Sequence, residues 1–268
     1  SLRINVRGWG VRRLASIIEV VDLSMKYHSP NGEIRALQCI NFAVKQGEFI
    51  CIVGPSGCGK STLLSLIAGL FPPTGGRIVI GGNPQTGSSA KVGYMLQKDY
   101  LFEWRTIWEN VRLGLEIRRT LSPESRGYIR ELLRKYGLYD FKDKYPRQLS
   151  GGMRQRAALI RTLAVQPEIL LLDEAFSGLD YQTRLWVGED IYRIIKEEHK
   201  TAILVTHDIA ESISMADRVI VLSGRPAGVK KIYAIQLTCE QRTPIGSRNA
   251  PEFKLYFNQI WKELDVHD

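Results

Sequence analysis

Apolar positions along the chain fall into runs of two kinds. Unbroken runs at Phe49-Ile50-Cys51-Ile52-Val53, Ile169 to Leu172, Ala202 to Val205 and Val219 to Leu222 predict short strands buried on both faces. Between them, apolar residues recur at helical spacing: Leu63, Leu64, Leu66 and Ile67 before Gly69, then Met153, Ala157, Leu159, Ile160 and Leu163. Strands that alternate with helices in this way predict a parallel α/β core. Ahead of it, two extended stretches within Ile17 to Phe42, separated by "HSPNGE", predict an antiparallel sheet. Between Gln97 and the 150s the pattern turns helical, with helices predicted over Thr106 to Arg118 and Ser122 to Tyr136. Ser122 caps the second of these, and Pro123 takes its first position. Near the end, Phe253, Tyr256, Phe257, Ile260, Trp261 and Leu264 form one stripe of a last helix, about 249–264. It predicts packing on the chain's own core, with a partner surface as the second reading.

The strand at Phe49 runs into "GPSGCGKST": Gly54, Pro55, Ser56, Gly57, Cys58, Gly59, Lys60, Ser61 and Thr62. Strand, glycine-rich loop and helix, with Lys and Ser at the loop's end, are the context of a phosphate-binding P-loop. Backbone N–H groups and the helix start converge on phosphate oxygens. Lys60 is expected to reach the outer phosphates, and Ser61 to hold Mg²⁺, which favours phosphate plus few protein oxygens. The strand at Ile169 ends in Asp173 and Glu174. Carboxylates there sit at the ligand crevice of an open parallel sheet. Asp173 is expected to hold Mg²⁺ through water and Glu174 to act as general base on the attacking water.

Composition narrows the class. At 268 residues and 44% hydrophobic, the chain can bury one large core, and no stretch approaches the ~20 apolar residues of a membrane span. Cys39, Cys51, Cys58 and Cys239 lack metal-ligand spacing and fit a reducing compartment. The net charge of +9 permits contact with lipid or nucleic acid without showing either. Arg3, Arg7, Arg12 and Arg13 make residues 1–16 a basic arm, with no apolar region of a signal peptide.

Between the P-loop and the acidic strand stands "LSGGMRQR". Here the chain resembles the ATPase subunits of ABC (ATP-binding cassette) transporters over nearly its whole length. The resemblance implies a P-loop core with an N-terminal antiparallel β subdomain and an inserted helical subdomain, about 98–165, all within one domain, 17–268. It places Tyr27 where an aromatic stacks on adenine, Gln97 as a glutamine that positions water and metal, and Ser150, Gly151 and Gly152 as the signature. Ser177 to Asp180 match the D-loop, and His207 matches the switch histidine. Each also has a plainer reading: strand packing for Tyr27, a loop polar group for Gln97, a strand-end histidine for His207. In the family, two subunits sandwich two ATP head to tail, each signature and Asp180 completing the other's site, so a homodimer is implied.

The stretch "KDYLFEWRTIWENV" follows Gln97. In the family this region borders the groove that receives a membrane subunit. Phe102 and Trp104 fit aromatic anchors there and Trp108 fits core packing; Phe102-Glu103 stands where a leucine-proline is usual in the family, and the Glu103 carboxylate suggests selection of a basic partner loop. "EWRTIWENV", "DEAFSGLD" and the short last helix are similar to the nitrate/sulfonate/taurine-type importer ATPases, a branch that includes carriers of vitamin precursors. Peripheral attachment to the cytoplasmic membrane face, permease subunits and an extracytoplasmic binding protein are implied. Exporter subunits remain the nearest alternative. Nucleic-acid ATPases of the family carry long coiled coils or second cassettes, which this sequence lacks, so no nucleic-acid partner is expected.

Overall fold

The computed structural model describes residues 16–29 and 32–264. The basic arginines of the N-terminal arm lie outside the described residues. Ser16, assigned to that arm from sequence, instead opens strand β1 (Ser16–Ser29), opposite Lys45 of β2 (Gly32–Lys45). The two strands are antiparallel, and β1 pairs on its other edge with β4 (Gly75–Ile80), which carries the short β5 (Asn83–Pro84).

The second sheet has the order β10-β9-β3-β8-β7-β6. Its strands are β3 (Phe49–Val53), β6 (Val92–Met95), β7 (Ile169–Asp173), β8 (Thr201–Val205), β9 (Arg218–Leu222) and β10 (Val229–Ala234). All neighbours pair parallel except β10, which is antiparallel to β9. Every residue of β3, β7 and β8 is buried, because both faces of this sheet are covered. Side chains alternate between two cores. Ile50, Ile52, Leu171 and Ile203 join the antiparallel sheet and helix α1 (Lys60–Ile67). Phe49, Cys51, Val53, Leu170 and Leu204 face the other way, toward a helical layer.

That layer contains α2 (Ile107–Ile117), α3 (Pro123–Lys135), α4 (Gly151–Leu163), α5 (Tyr181–Glu197), α6 (Ile209–Met215) and α8 (Phe253–Leu264), with α7 (Pro244–Ser247) a short turn beside α6. Caps set the helix starts. Thr106 forms a reciprocal box with Glu109, and Ser122 forms one with Ser125 ahead of Pro123. Of the last helix's stripe, Ile260 is fully buried, and Phe253, Tyr256, Phe257 and Leu264 pack against the helical core. Trp261 departs from that stripe: it is 53% exposed and stacks on Phe257. One residue after Ile260 is a turn of about 100° around the helix, which carries Trp261 off the buried face.

Because β8 lies between β3 and β7, with β6 beyond, one sheet edge gathers the residues that follow four parallel strands. These are the loop after Val53, Gln97 after Met95, Asp173 and Glu174, and Thr206 and His207.

Candidate functional site

The loop from Gly54 to Gly59 is shaped by its glycines. A Cβ on Gly54 would lie 3.0 Å from Cys58 Sγ and 3.1 Å from Leu222 Cβ. Gly59 has φ +122°, and its Cβ would meet Leu37 Cδ2 at 2.9 Å, so no side chain fits there. Ser56 and Gly57 lie exposed at the tip, with Arg225 Nη2 donating to the Gly57 carbonyl at 2.8 Å. Lys60 is buried, yet its ammonium has no carboxylate partner among the described residues. Its Nζ donates to the carbonyls of Gly54 (2.9 Å) and Pro55 (3.0 Å). A buried cation held only by neutral carbonyls at a helix N-terminus suits an anionic ligand.

At the start of α1, Ser61 Oγ donates to Asp173 Oδ1 at 2.9 Å, joining the P-loop to the end of β7. The other oxygen, Oδ2, accepts from Tyr94 OH at 3.2 Å. Burial pushes the Asp173 carboxyl up, aided by the neighbouring Glu174. The Ser61 and Tyr94 hydrogen bonds and the Lys60 charge work against the rise. Ser61 and Asp173 are hard oxygen donors in contact, and no cluster of three or more His, Cys, Asp or Glu ligands occurs among the described residues. That donor set does not cage a metal, but it fits Mg²⁺ completed by phosphate and water.

Glu174 leaves β7 with φ +44°, a left-handed conformation that costs a non-glycine residue about 1–2 kcal/mol. Its backbone is tied by Glu174 N–H to the Val205 carbonyl at 2.9 Å. The carboxylate Oε2 accepts from Gln97 Nε2 at 3.1 Å and lies 3.4 Å from His207 Nδ1. Gln97 also reaches Ser177 Oγ at 3.2 Å. Thus three separate strand ends meet here, bringing Gln97 and His207 to the Glu174 carboxylate, next in sequence to the Asp173 that pairs with Ser61. Tyr27, 39% exposed on β1, hydrogen-bonds through its hydroxyl with Thr62 Oγ1 at 3.2 Å and meets Phe71 edge to face.

Ser150 and Asp180 sit elsewhere, each as a helix cap. Ser150 Oγ accepts from Met153 N–H at 3.4 Å, and Asp180 Oδ1 accepts from Thr183 N–H at 3.0 Å. Gly151 and Gly152 are close-packed, since a Cβ would approach Leu179 Cδ2 at 3.0 Å and Val187 Cγ2 at 2.9 Å respectively. None of these four residues hydrogen-bonds to the P-loop, Asp173, Glu174, Gln97 or His207 among the described residues.

The aromatic stretch divides in two. Trp108 packs against the helical core, under the Arg130 guanidinium. Trp104 is 73% exposed and stacks against Phe102 with ring centroids 4.8 Å apart. Fully buried Asn110 holds this turn: its Oδ1 accepts from Phe102 N–H at 2.7 Å and its Nδ2 donates to the carbonyls of Phe102, Arg105 and Thr106. Glu103 is half exposed, but it is not unpaired. Arg154 of α4 donates to its Oε1 at 2.8 Å, so the charge is answered within the chain. Sequence reasoning passed over Tyr94, Asn110 and Arg154. For Tyr94 a signal existed, a hydroxyl in a strand next to Gln97, whereas Arg154 resembled any exposed helix charge.

A family model described as ABC transporter matches residues 37–177. An uncharacterized ABC transporter ATP-binding protein, YtlC of Bacillus subtilis (strain 168), is 47% identical over 93% of this chain and 96% of its own. The nitrate import ATP-binding protein NrtD of Synechocystis sp. (strain ATCC 27184 / PCC 6803 / Kazusa) is 39% identical over 91% of this chain and 93% of its own. Among solved structures, a dimeric post-hydrolysis state of the ATP-binding cassette MJ0796 bound to ADP and Pi superposes with a TM-score of 0.70. It is 31% identical and covers 82% of this chain and 99% of that one. With phosphate loop, acidic strand end and signature in the family's order, this chain belongs to the ABC transporter family as one of its ATPases.

Proposed function

We propose that this chain is the ATP-hydrolysing subunit of an importer, working as a homodimer beneath separate permease subunits, with a small anion or vitamin precursor as solute. The observation that carries the catalytic part is the Glu174 carboxylate held between Gln97 Nε2 and His207 Nδ1. In this reading Tyr27 stacks on adenine. The backbone of Gly54–Thr62 and the Lys60 ammonium take the phosphates. Ser61, Asp173 and Gln97 hold Mg²⁺, which neutralises phosphate charge when bound. Glu174 accepts the proton of a water whose oxygen bonds to the γ-phosphorus as the bond to the ADP oxygen breaks. His207 and Gln97 orient that carboxylate and the phosphoryl oxygens.

None of Ser150, Gly151, Gly152 and Asp180 hydrogen-bonds to this chain's own Gly54–Thr62 loop or to Asp173, Glu174, Gln97 or His207 among the described residues, which supports their facing the nucleotide of a second copy. The dimeric ADP- and Pi-bound cassette MJ0796 supports the same arrangement. Import is favoured by the likeness to the nitrate importer subunit NrtD. No helix among the described residues is long and apolar enough to cross a membrane, so the span falls to partner subunits, reached through Phe102 and Trp104, with a binding protein acting from the far side. Nucleic acid has no role in this reading. Mixing a Ser150→Arg chain with a Lys60→Ala chain tests the shared sites. Random pairing makes half the dimers mixed, each with one intact composite site, so about a quarter of wild-type ATPase should return. No recovery despite proven mixed dimers counts against the sandwich or against sites that turn over independently.

A further inference from the structure

The turn that presents Phe102 and Trp104 is held by two arginines of one helix. In the first turn of α4, Arg154 donates Nε to Asp99 Oδ2 at 2.8 Å and Nη2 to Asp99 Oδ1 at 3.1 Å, and Nη2 also reaches Glu103 Oε1 at 2.8 Å. Two turns later, Arg161 donates Nη1 to the Tyr100 carbonyl at 2.7 Å and Nη2 to the Asp99 carbonyl at 2.6 Å. Positions seven apart share one helix face, so both guanidiniums grip the same side of the loop. The loop conforms to that grip: Asp99 Oδ1 accepts from Leu101 N–H at 3.0 Å, and Tyr100 takes φ +43°.

The loop's other end is Gln97, already bound to Glu174, and the helix is capped by Ser150. Asp99, Arg154, Gln97 and Gly151 line one cavity of about 380 Å³. Bidentate guanidinium–carboxylate pairs fix orientation as well as distance, which a lone ammonium does not. A helix so fastened at two points cannot turn or slide without carrying the loop. We propose that Arg154 and Arg161 are positioning residues that fasten the Phe102–Trp104 docking turn to the signature helix, so that closure of Ser150–Gly152 over nucleotide and movement of the docking turn are one event. This rests on the reading of Ser150 and of the aromatic turn given above.

Hydrogen exchange on full-length protein tests it. In nucleotide-free protein, Arg154→Met should speed exchange across residues 98–105 by about tenfold or more, while the charge-swapped pair Asp99→Arg with Arg154→Asp should recover a large part of the protection. In a Glu174→Gln background, ATP should slow exchange at 150–154 and 98–105 together; adding Arg154→Met should leave the first response and abolish the second. Should Arg154→Met fold poorly, Arg154→Lys keeps the charge without the fork and is read in the same way. Unchanged exchange at 98–105 without nucleotide, or an ATP response there that survives loss of Arg154, overturns the proposal. Absence of any ATP response at 150–154 in the parent protein counts instead against the nucleotide sandwich, and the nucleotide-free comparison still decides whether the fastening exists.

Discussion

Glu211 offers a test, through pH, of the segment that follows β8. It lies on α6, four residues after His207, and is 7% exposed. Burial raises its pKa from 4.5 to about 7, with the Asp208 charge adding to the rise and a Thr206 hydrogen bond, Arg184 and Arg248 opposing it. The folded value therefore lies above the unfolded one. Between the two, the native state binds more protons than the unfolded chain, so stability is fully present below pH 4.5 and is lost as pH rises through about 7. At about 1.4 kcal/mol per pH unit, that interval amounts to ~3.5 kcal/mol at most. Glu211→Gln keeps the shape and removes the charge. Urea unfolding at pH 5, 6, 7 and 8 should show the variant close to wild type at the lowest pH. Its advantage should then grow to between about 1 and 3 kcal/mol at pH 8. A difference that stays constant with pH, or a variant less stable than wild type at pH 8, refutes the assignment of a neutral buried carboxyl four residues after His207.

Replacing both Phe102 and Trp104 with alanine should leave the melting temperature nearly unchanged, because Trp104 is 73% exposed, yet weaken association with the membrane subunit by roughly 30-fold in a pull-down titration. Early melting with normal association would make the pair core residues instead. Tyr27→Ala should weaken ADP binding by about 3- to 10-fold in a fluorescence titration, since a stacked ring contributes on the order of 0.5–1.5 kcal/mol. Affinity unchanged within twofold would remove Tyr27 from the nucleotide site.

What could be read from sequence is what depends on neighbours in the chain. The unbroken run Phe49–Val53, the glycines that only a tight loop needs, the acids closing Ile169–Leu172 and the caps Thr106 and Ser122 are all local signals, and the elements form where those signals lie. The ends of parallel strands then collect Gln97, Glu174 and His207 without further information. Long-range partners stayed hidden. Glu103 and Arg154 are 51 residues apart, and nothing near Glu103 indicates that a guanidinium answers it. Tyr94 and Asp173 meet only because β6 pairs with β7. Short edge strands were also missed: β5 has two residues and β10 has an exposed, lysine-bearing pattern, so neither offers an apolar run to detect. Trp261 looked like part of a buried stripe because a helical period admits it within one residue of Ile260.

The central claim is that Glu174 drives hydrolysis in a site closed by a second copy of the chain. Light scattering coupled to size-exclusion chromatography of Glu174→Gln, with ATP and Mg²⁺ and again with ADP, measures it most directly alongside turnover. The account predicts a stable dimer with ATP, a monomer with ADP, and turnover reduced by at least about 100-fold. A variant that stays monomeric with ATP while hydrolysing at the wild-type rate would contradict it.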